Sequence, residues 1–167
     1  MAMQNRDRLL KRLKAIKGKP RAAMRVALEQ GAKQVVASAK NLAQVKSGDL
    51  VNSIDYTFGD YKPANANVRG VSAGARGGDP DLSVTIHVGD EKAFYAGWVE
   101  FGTNPHFVSK GGSTKIGAIK ARLKRATPHP GAQAHPFFYP AWRANKKSIK
   151  ARITRAMNKA IKDGANA

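Results

Sequence analysis

The sequence LSVTIHV at residues 82–88 decides the fold class, because apolar and polar residues alternate along its whole length. Alternation with a period of two is typical of a strand that buries one face. Residues 54–58, IDYTF, show the same pattern and follow the turn-forming residues 47–49, SGD. These stretches predict two strands of a small sheet, and residues 65–71 predict a further short strand before a glycine-rich loop at 72–81.

Helical patterns lie on both sides of these strands. The first, at residues 5–17, has four aliphatic residues on one face: Leu9, Leu10, Leu13 and Ile16. Gly18 and Pro20 interrupt it, so a second helix is predicted from Pro20 to about residue 42, since proline suits the first turn of a helix. A last helix is predicted from Pro140 to about residue 163. Its apolar stripe consists of Trp142, Ile149, Ile153, Met157 and Ile161.

The order of these elements predicts an α+β fold, in which a small antiparallel sheet packs against N-terminal and C-terminal helices. With 167 residues the chain suits one domain at residues 20–167, preceded by a basic helical extension at 1–19. Residues 90–101 favour a short helix, although their aromatic residues also suit a strand. Residues 104–134 form a long basic loop before the last helix, with room for a short helix at 116–125.

The charge of the chain is high and unevenly distributed. The net charge is +19, with +9 in residues 1–40, −3 in residues 41–105 and +13 in residues 106–167. Two basic ends around a mildly acidic middle indicate a polyanionic partner, either a nucleic acid or an acidic protein surface. No apolar run is long enough to span a membrane, and residues 1–19 lack the continuous apolar core of a secretory signal. We expect no membrane partner.

Catalytic and metal-binding patterns are missing from the sequence. Cysteine is absent, which excludes disulfides, thiolate catalysis and the common structural zinc sites. The spacing of His106, His129 and His135 matches no metal-ligand motif. No phosphate-binding loop, nucleophile elbow or paired carboxylates occur. We therefore predict no catalytic residue, no cofactor and no metal site, and we expect that the protein is not an enzyme, such as a nuclease.

Four segments together resemble a known family. Residues 40–43, KNLA, followed by 48–54, GDLVNSI, resemble the helix and turn that open the domain of the tailed-bacteriophage neck and tail-completion proteins. Residues 84–89 resemble the next strand of that family, and 95–103, YAGWVEFGT, resemble its Tyr-Ala-x-x-x-Glu-Phe-Gly-Thr signature. Residues 135–141, HPFFYPA, resemble the segment before its last helix. The segments occur in the order of the family.

The resemblance implies a structural virion protein at the head–tail junction of a long-tailed phage, assembled in the cytoplasm of the bacterial host. It implies a homo-oligomeric ring, typically a hexamer, that completes the tail or neck and joins it to the head. The neighbouring proteins would be a stopper, a tail terminator or a tail tube, with DNA in the lumen. Two features depart from the family: the loop at 105–134 is longer, and the basic segment before Pro20 is extra.

The signature segments supply the predicted interface residues. Glu100 lies among apolar neighbours and needs a partner, because burial of an unpaired charge is costly. That partner is either a cation of another subunit or an intrachain hydrogen-bond donor in a nearby turn. Gly102 predicts a sharp turn. The aromatic residues either contact a partner or pin the last helix. The predicted subunit or partner interface comprises Tyr95, Trp98, Glu100, Phe101, Thr103, Phe137, Phe138, Tyr139 and Trp142.

Basic residues of the long loop and the last helix are predicted to contact DNA or an acidic partner: Lys115, Lys120, Arg122, Lys124, Arg125, Lys146, Lys147 and Lys150. A sixfold ring would carry about 114 positive charges, whereas duplex DNA across a domain about 40 Å wide carries only about 24 phosphate charges. Acidic neighbouring proteins are therefore the preferred partners. The alternative is a basic DNA-binding protein of the packaging or nucleoid type, which rests on charge alone because no nucleic-acid-binding motif is present.

Overall fold

The computed structural model describes residues 2–61, 79–108 and 127–165, and the side chains of these residues except at 2–17, 107, 108, 127 and 165. Its helices are α1 (Ala2–Leu42), α2 (Asp49–Asn52), α3 (Ala96–Phe101) and α4 (Phe138–Ala165), and its strands are β1 (Asp55–Phe58), β2 (Val84–His87), β3 (His106–Val108) and β4 (Thr127–His129). A 3₁₀ turn at Pro80–Leu82 precedes β2. The predicted α+β class is confirmed.

The strands form two small antiparallel ladders. β1 pairs with β2, with Asp55 opposite His87, as the alternating patterns indicated. β3 pairs with β4, and this ladder was not predicted. Its sequences are too short and too rich in proline and histidine to show an alternating pattern. The strand predicted at 65–71, most of the loop predicted at 72–81 and the helix suggested at 116–125 lie outside the described residues.

The prediction that the first helix stops at Gly18 and Pro20 is wrong, because α1 runs unbroken for 41 residues with Pro20 inside it. Proline inside a helix removes one backbone hydrogen bond. Contacts made just after Pro20 join this part of α1 to the turn before β2. Arg21 donates to Asp79 at 2.7 Å and also binds Asp81 in the turn before β2. Arg25 pairs with the same Asp81, and together these guanidinium groups hold the pKa of the Asp81 carboxyl below its ordinary value.

The main packing contact of the fold is the antiparallel pair of α1 and α4. Gly31 of α1 faces Ile149 of α4 so closely that a Cβ on this glycine would lie 2.8 Å from Ile149 Cγ2. Glycine costs about 1 kcal/mol relative to alanine in a helix, and here it permits the close approach of the two helices. Small and branched residues of α1 continue this buried face: Ala27, Ala32, Val35 and Ala39.

A polar network crosses the same helix pair. The buried Asn145 of α4 donates from Nδ2 to Ser38 Oγ at 2.9 Å and to the carbonyl of Ala141 at 2.8 Å, while its Oδ1 accepts from Gln34 Nε2 at 2.6 Å. Arg152 donates to Gln34 Oε1 at 2.8 Å. These hydrogen bonds can form only when the two helices are in one register. The network therefore stabilises the observed register of α1 against α4.

The apolar core lies next to this network, where α2, α3 and the start of α4 meet the C-terminal part of α1. Its residues are Ala39, Ala43, Leu50, Ile54, Ala96, Phe137 and Ala141. Ile54 and Phe137 are completely enclosed. At the edge of the sheet, His87 stacks on Tyr61 with ring centroids 3.7 Å apart, and partial burial lowers the pKa of the His87 imidazole.

We predict that replacing Asn145 by leucine destabilises the fold. Asn145→Leu would remove the acceptor of Gln34 Nε2 and the donor that Ser38 Oγ accepts from, at a cost of about 1–3 kcal/mol in the free energy of unfolding. Urea denaturation measures this change. Asn158→Leu, at an exposed position of the same helix, is the matched control and should change stability by less than about 0.5 kcal/mol. Equal effects of the two substitutions would contradict the role given to the network.

Candidate interaction surface

Glu100 is the central polar residue of the signature segment, and the structure buries it within its own chain. Only 7% of its surface is exposed. Its Oε2 accepts hydrogen bonds from the backbone N–H groups of Phe137 at 2.8 Å and Phe138 at 2.9 Å, and its Oε1 accepts from that of Tyr139 at 3.0 Å. Of the two partners considered from the sequence, the structure has the intrachain one. The donors are the first turn of α4, 37 to 39 residues further along the chain.

This arrangement meets a specific need of α4. The first N–H groups of a helix have no acceptor within the helix and carry the positive end of its dipole. The residues just before α4, Pro136 and Phe137, have no side-chain oxygen that could cap it. The carboxylate of Glu100 supplies both the acceptors and the negative charge. The buried charge is therefore satisfied by backbone donors and requires no lysine or arginine.

Backbone hydrogen bonds also join the Glu100 segment to the residues before α4. They lie before and after Glu100 in the sequence. The N–H of His135 donates to the carbonyl of Val99 at 2.8 Å, and Thr103 and Ala132 exchange backbone hydrogen bonds of 2.9 and 3.2 Å. Gly102 has a φ of 70°, and a Cβ there would lie 2.6 Å from the carbonyl oxygen of Ala132. The sharp turn predicted at Gly102 is present. The base of the long loop is thus closed, with 99–103 and 132–139 held together.

Exposed aromatic side chains surround this junction. We call them the aromatic patch: Phe94, Trp98, Phe101, Tyr139 and Trp142. Trp98 and Phe101, three residues apart on α3, are 56% and 69% exposed. The rings of Phe94 and Trp98 are 5.7 Å apart, and those of Phe101 and Tyr139 are 5.8 Å apart. An exposed cluster of large rings is typical of a protein-binding surface.

The residues predicted for the interface therefore differ in accessibility. Phe137 and Glu100 are buried, Tyr95 and Phe138 are half-buried, and the aromatic patch contains the other predicted rings. Thr103 is half-buried in its bridge to Ala132. Phe94 was not among the predicted interface residues, although its ring is half exposed.

An open groove lies beside α3. Two adjoining cavities of about 280 and 290 Å³ share the lining residues Gln44, Lys46, Tyr95 and Val99. Trp98 of the aromatic patch forms part of the first cavity. Each cavity is near the lower limit for a small-molecule site, which is about 300 Å³. We call these two adjoining cavities the α3 groove.

A row of cations follows the first half of α4. Arg143, Lys146, Lys147 and Lys150 are all exposed, at positions i, i+3, i+4 and i+7, and we call them the basic stripe. None of them forms an ion pair with a carboxylate of the described residues. The predicted contact residues Lys146, Lys147 and Lys150 belong to this stripe. The other five predicted residues, Lys115, Lys120, Arg122, Lys124 and Arg125, lie outside the described part of the chain.

The histidines of the loop base lie next to each other on the β3–β4 ladder. His106 and His129 face each other across the β3–β4 ladder with ring centroids 5.0 Å apart. The N–H of Gly131 donates to His129 Nδ1 at 3.0 Å. Within residues 2–61, 79–108 and 127–165, no group of three or more histidine and carboxylate residues is placed to hold a metal ion. Over the same residues, no helix combines the length and apolarity that a membrane span requires.

One half of the junction, at residues 99–102, lies in a segment that matches a known protein family. Residues 7–102 match the model of the HK97-gp10-like family, a family of candidate bacteriophage tail components named after gp10 of phage HK97. The match spans more than half of the 167 residues and includes α1 from residue 7 onward, the β1–β2 ladder and α3 with Glu100. The chain belongs to this family. No curated protein and no solved structure matches it.

Membership of the HK97-gp10-like family confirms the resemblance seen in the sequence. It identifies a structural component of a phage tail, with a location in the virion and with other tail or head proteins as partners. It also points to a non-enzymatic role. The match ends at Gly102, so the basic stripe and the half of the junction at 132–139 lie beyond it.

We predict that Glu100→Ala weakens the fold strongly. The substitution would leave three N–H groups at the start of α4 without acceptors, at a cost of about 2–4 kcal/mol in the free energy of unfolding. Glu100→Gln keeps an acceptor but loses the charge, so its effect should be intermediate. The exposed Glu91→Ala is the control and should cost less than about 0.5 kcal/mol. If Glu100→Ala unfolds at the same urea concentration as the wild type, the capping role is wrong.

Proposed function

We propose that this tail component forms a homo-oligomeric ring, sixfold as the family resemblance implies, at the head–tail interface of a long-tailed phage. The ring completes the tail or neck and joins it to the head. The observation that carries the proposal is the aromatic patch, which lies exposed on the junction of α3 and α4. No chemical step is involved, since joining requires only buried surface and complementary charge.

The patch has the composition and the support of a binding surface. Tyrosine and tryptophan are enriched among the residues that contribute most to binding energy. The patch residues belong to segments held together by Glu100 and the Thr103–Ala132 bridge, apart from Phe94 just before α3. A surface that is already ordered loses little conformational entropy when a partner binds. The junction therefore supports assembly by presenting its rings in one arrangement.

The size of the patch indicates what else a ring contact needs. An aromatic side chain buries about 150–250 Å² when fully enclosed, so five half-exposed rings offer about 500 Å². A stable interface uses about 800 Å² on each side. The patch would supply more than half of one side. A closed ring also needs a head-to-tail contact, in which this surface meets a different surface of the next copy.

The basic stripe supports a second contact, with acidic proteins of the neighbouring layers of the neck or tail. Its cations are exposed and lack ion pairs among the described residues, so no internal partner has to be given up when an acidic surface docks. Charge complementarity of this kind raises the rate and the specificity of association. Docking onto such neighbours would attach the ring without involving the aromatic patch.

We expect the double variant Trp98→Ser, Phe101→Ser to assemble poorly. If each ring contributes about 2 kcal/mol to a contact, the dissociation constant rises by on the order of 1,000-fold. Mass photometry and electron microscopy of the purified chain measure assembly, and circular dichroism shows whether the fold is kept. Ile161→Ser, at an exposed apolar site near the end of α4, is the control. A wild-type chain that stays monomeric, alone and with head-connector and tail proteins, would overturn the proposal.

The alternative function is DNA binding through the same basic stripe, and its cations are the observation that favours it. Lys146→Glu, Lys147→Glu, Lys150→Glu tests this. A DNA-binding protein would bind duplex DNA near physiological salt, with an affinity that falls steeply as salt rises and is lost in the triple variant. For an acidic protein partner we expect weak binding of DNA in the wild type and loss of docking to neighbouring virion proteins in the variant.

A further inference from the structure

Helix α1 extends well past the end of its partner α4. The two helices are antiparallel, with Gly31 beside Ile149 and with Lys19 Nζ 3.4 Å from the carbonyl oxygen of Asp163. Helix α4 ends two residues later, whereas α1 continues from Lys19 back to Ala2. At 1.5 Å per residue, α1 projects about 25 Å beyond the point that α4 reaches. We call residues 2–17 the arm.

The sequence of the arm is typical of a helix that packs an apolar face against another surface. Four aliphatic residues recur at helical spacing: Leu9, Leu10, Leu13 and Ile16. Around them are six basic residues and one acid. An isolated helix of about this length is only marginally stable in water, so a helical arm gains stability from burial of an apolar face. A basic helix with an aliphatic stripe suits a surface that is apolar and edged by carboxylates.

One part of the described surface has these properties. Phe94 and Trp98 lie at the α3 end of the aromatic patch, beside the α3 groove. The exposed residues Asp90, Glu91 and Lys92 precede Phe94 and give residues 90–98 a net charge of −1, while Lys46 lines the groove. The carboxylate of Asp90 accepts from the N–H groups of the next turn. Glu91 has no ion-pair partner among the described residues. We call residues 90–98 the acceptor face.

The other end of the patch is a poor match for the arm. Tyr139 and Trp142 are followed by the basic stripe, which has the same sign of charge as the arm. Like charges at a contact oppose association, so the basic arm matches the acceptor face, with its net charge of −1, better than the basic stripe.

The arm cannot reach the acceptor face of its own chain. Glu100 holds α3 at the N-terminal end of α4, whereas the arm leaves from the opposite end, at Asp163. Helix α4 has 28 residues and is about 42 Å long. The arm also points away from α3, because α1 is antiparallel to α4 and continuous through Lys19. Any acceptor face that the arm contacts therefore belongs to another molecule.

We propose that the arm of one copy docks on the acceptor face of the next copy, with its aliphatic stripe against Phe94, Trp98 and the α3 groove and its cations beside Asp90 and Glu91. The inference rests on the proposed function, because it requires that copies assemble. It adds the identity of the second surface of the contact. Since arm and acceptor face are different surfaces, the contact is head-to-tail, which is the kind of contact that closes rings.

Cysteine pairs test the contact directly, because the chain has no cysteine of its own. We would introduce Leu13→Cys and Trp98→Cys separately and together and treat each protein with a short bismaleimide. The double variant should give a ladder of linked species up to the full ring. The two single variants should give only dimers when mixed. Leu13→Cys with Lys159→Cys, an exposed position on α4, is the control pair and should give no ladder.

A charge exchange separates recognition from folding. Glu91→Lys alone, and Lys11→Glu, Lys14→Glu alone, should each weaken assembly by about tenfold or more at low salt. The combination in one chain should restore assembly to within a few-fold of the wild type. If either change acted only by disturbing the fold, the combination would not restore assembly. If the combined variant assembles more weakly than both parents, the proposed pairing of arm and acceptor face is wrong.

Removal of residues 2–17 distinguishes the two proposals. If the wild-type chain forms no oligomer, the proposed function fails, and the arm proposal fails with it. If the wild type forms a ring and the truncated chain forms the same ring, only the arm proposal is overturned. If truncation leaves the ring intact but abolishes binding to duplex DNA, the arm binds nucleic acid and its assignment to a second copy is wrong. Both proposals are supported if truncation abolishes the ring and the full-length double cysteine variant gives the ladder.

Discussion

The hydrogen bonds between the buried carboxylate of Glu100 and the first turn of α4 are the interaction on which the rest of the structure depends. They connect α3 to a helix that begins almost forty residues later, and they satisfy both a buried charge and a helix terminus that lacks its own cap. Because α4 also packs along α1, the same bonds determine where α3 lies on the helix pair. The aromatic patch, the closed base of the long loop and part of the core all follow from that placement.

The antiparallel helix pair gives the molecule two chemically different ends. At one end the junction of α3 and α4 presents aromatic rings and a pair of carboxylates. At the other end α1 continues past α4 as a basic arm. The proposed head-to-tail contact would join these two surfaces in successive copies. Membership of a family of phage tail components implies other tail or head proteins as further partners.

Much of the candidate surface was predictable from the sequence, but the role of its residues was not. The signature around Glu100 and the aromatic block before α4 marked the two segments that meet at the junction, because both are rich in aromatic residues. Which rings are exposed depends on the contact between these segments: Phe137 is enclosed in the core while Tyr139, two residues on, remains exposed. The sequence left the partner of Glu100 undecided, because the donors are backbone groups, which every residue except proline carries.

The sequence by itself determined the two alternating strands, the apolar faces of the helices, the uneven charge and the family, because each depends on residues close together in the chain or on a recurring local pattern. The tertiary structure alone decided that α1 continues through Pro20, that β3 pairs with β4 and that Glu100 caps α4. In each case the contact joins residues that are far apart in the sequence. The conformational preferences of the neighbouring residues alone therefore do not predict the result. The residues on either side of Pro20 are held by distant parts of the chain, Lys19 by α4 and Arg21 by the turn at Asp79, which no pattern in residues 1–42 reveals.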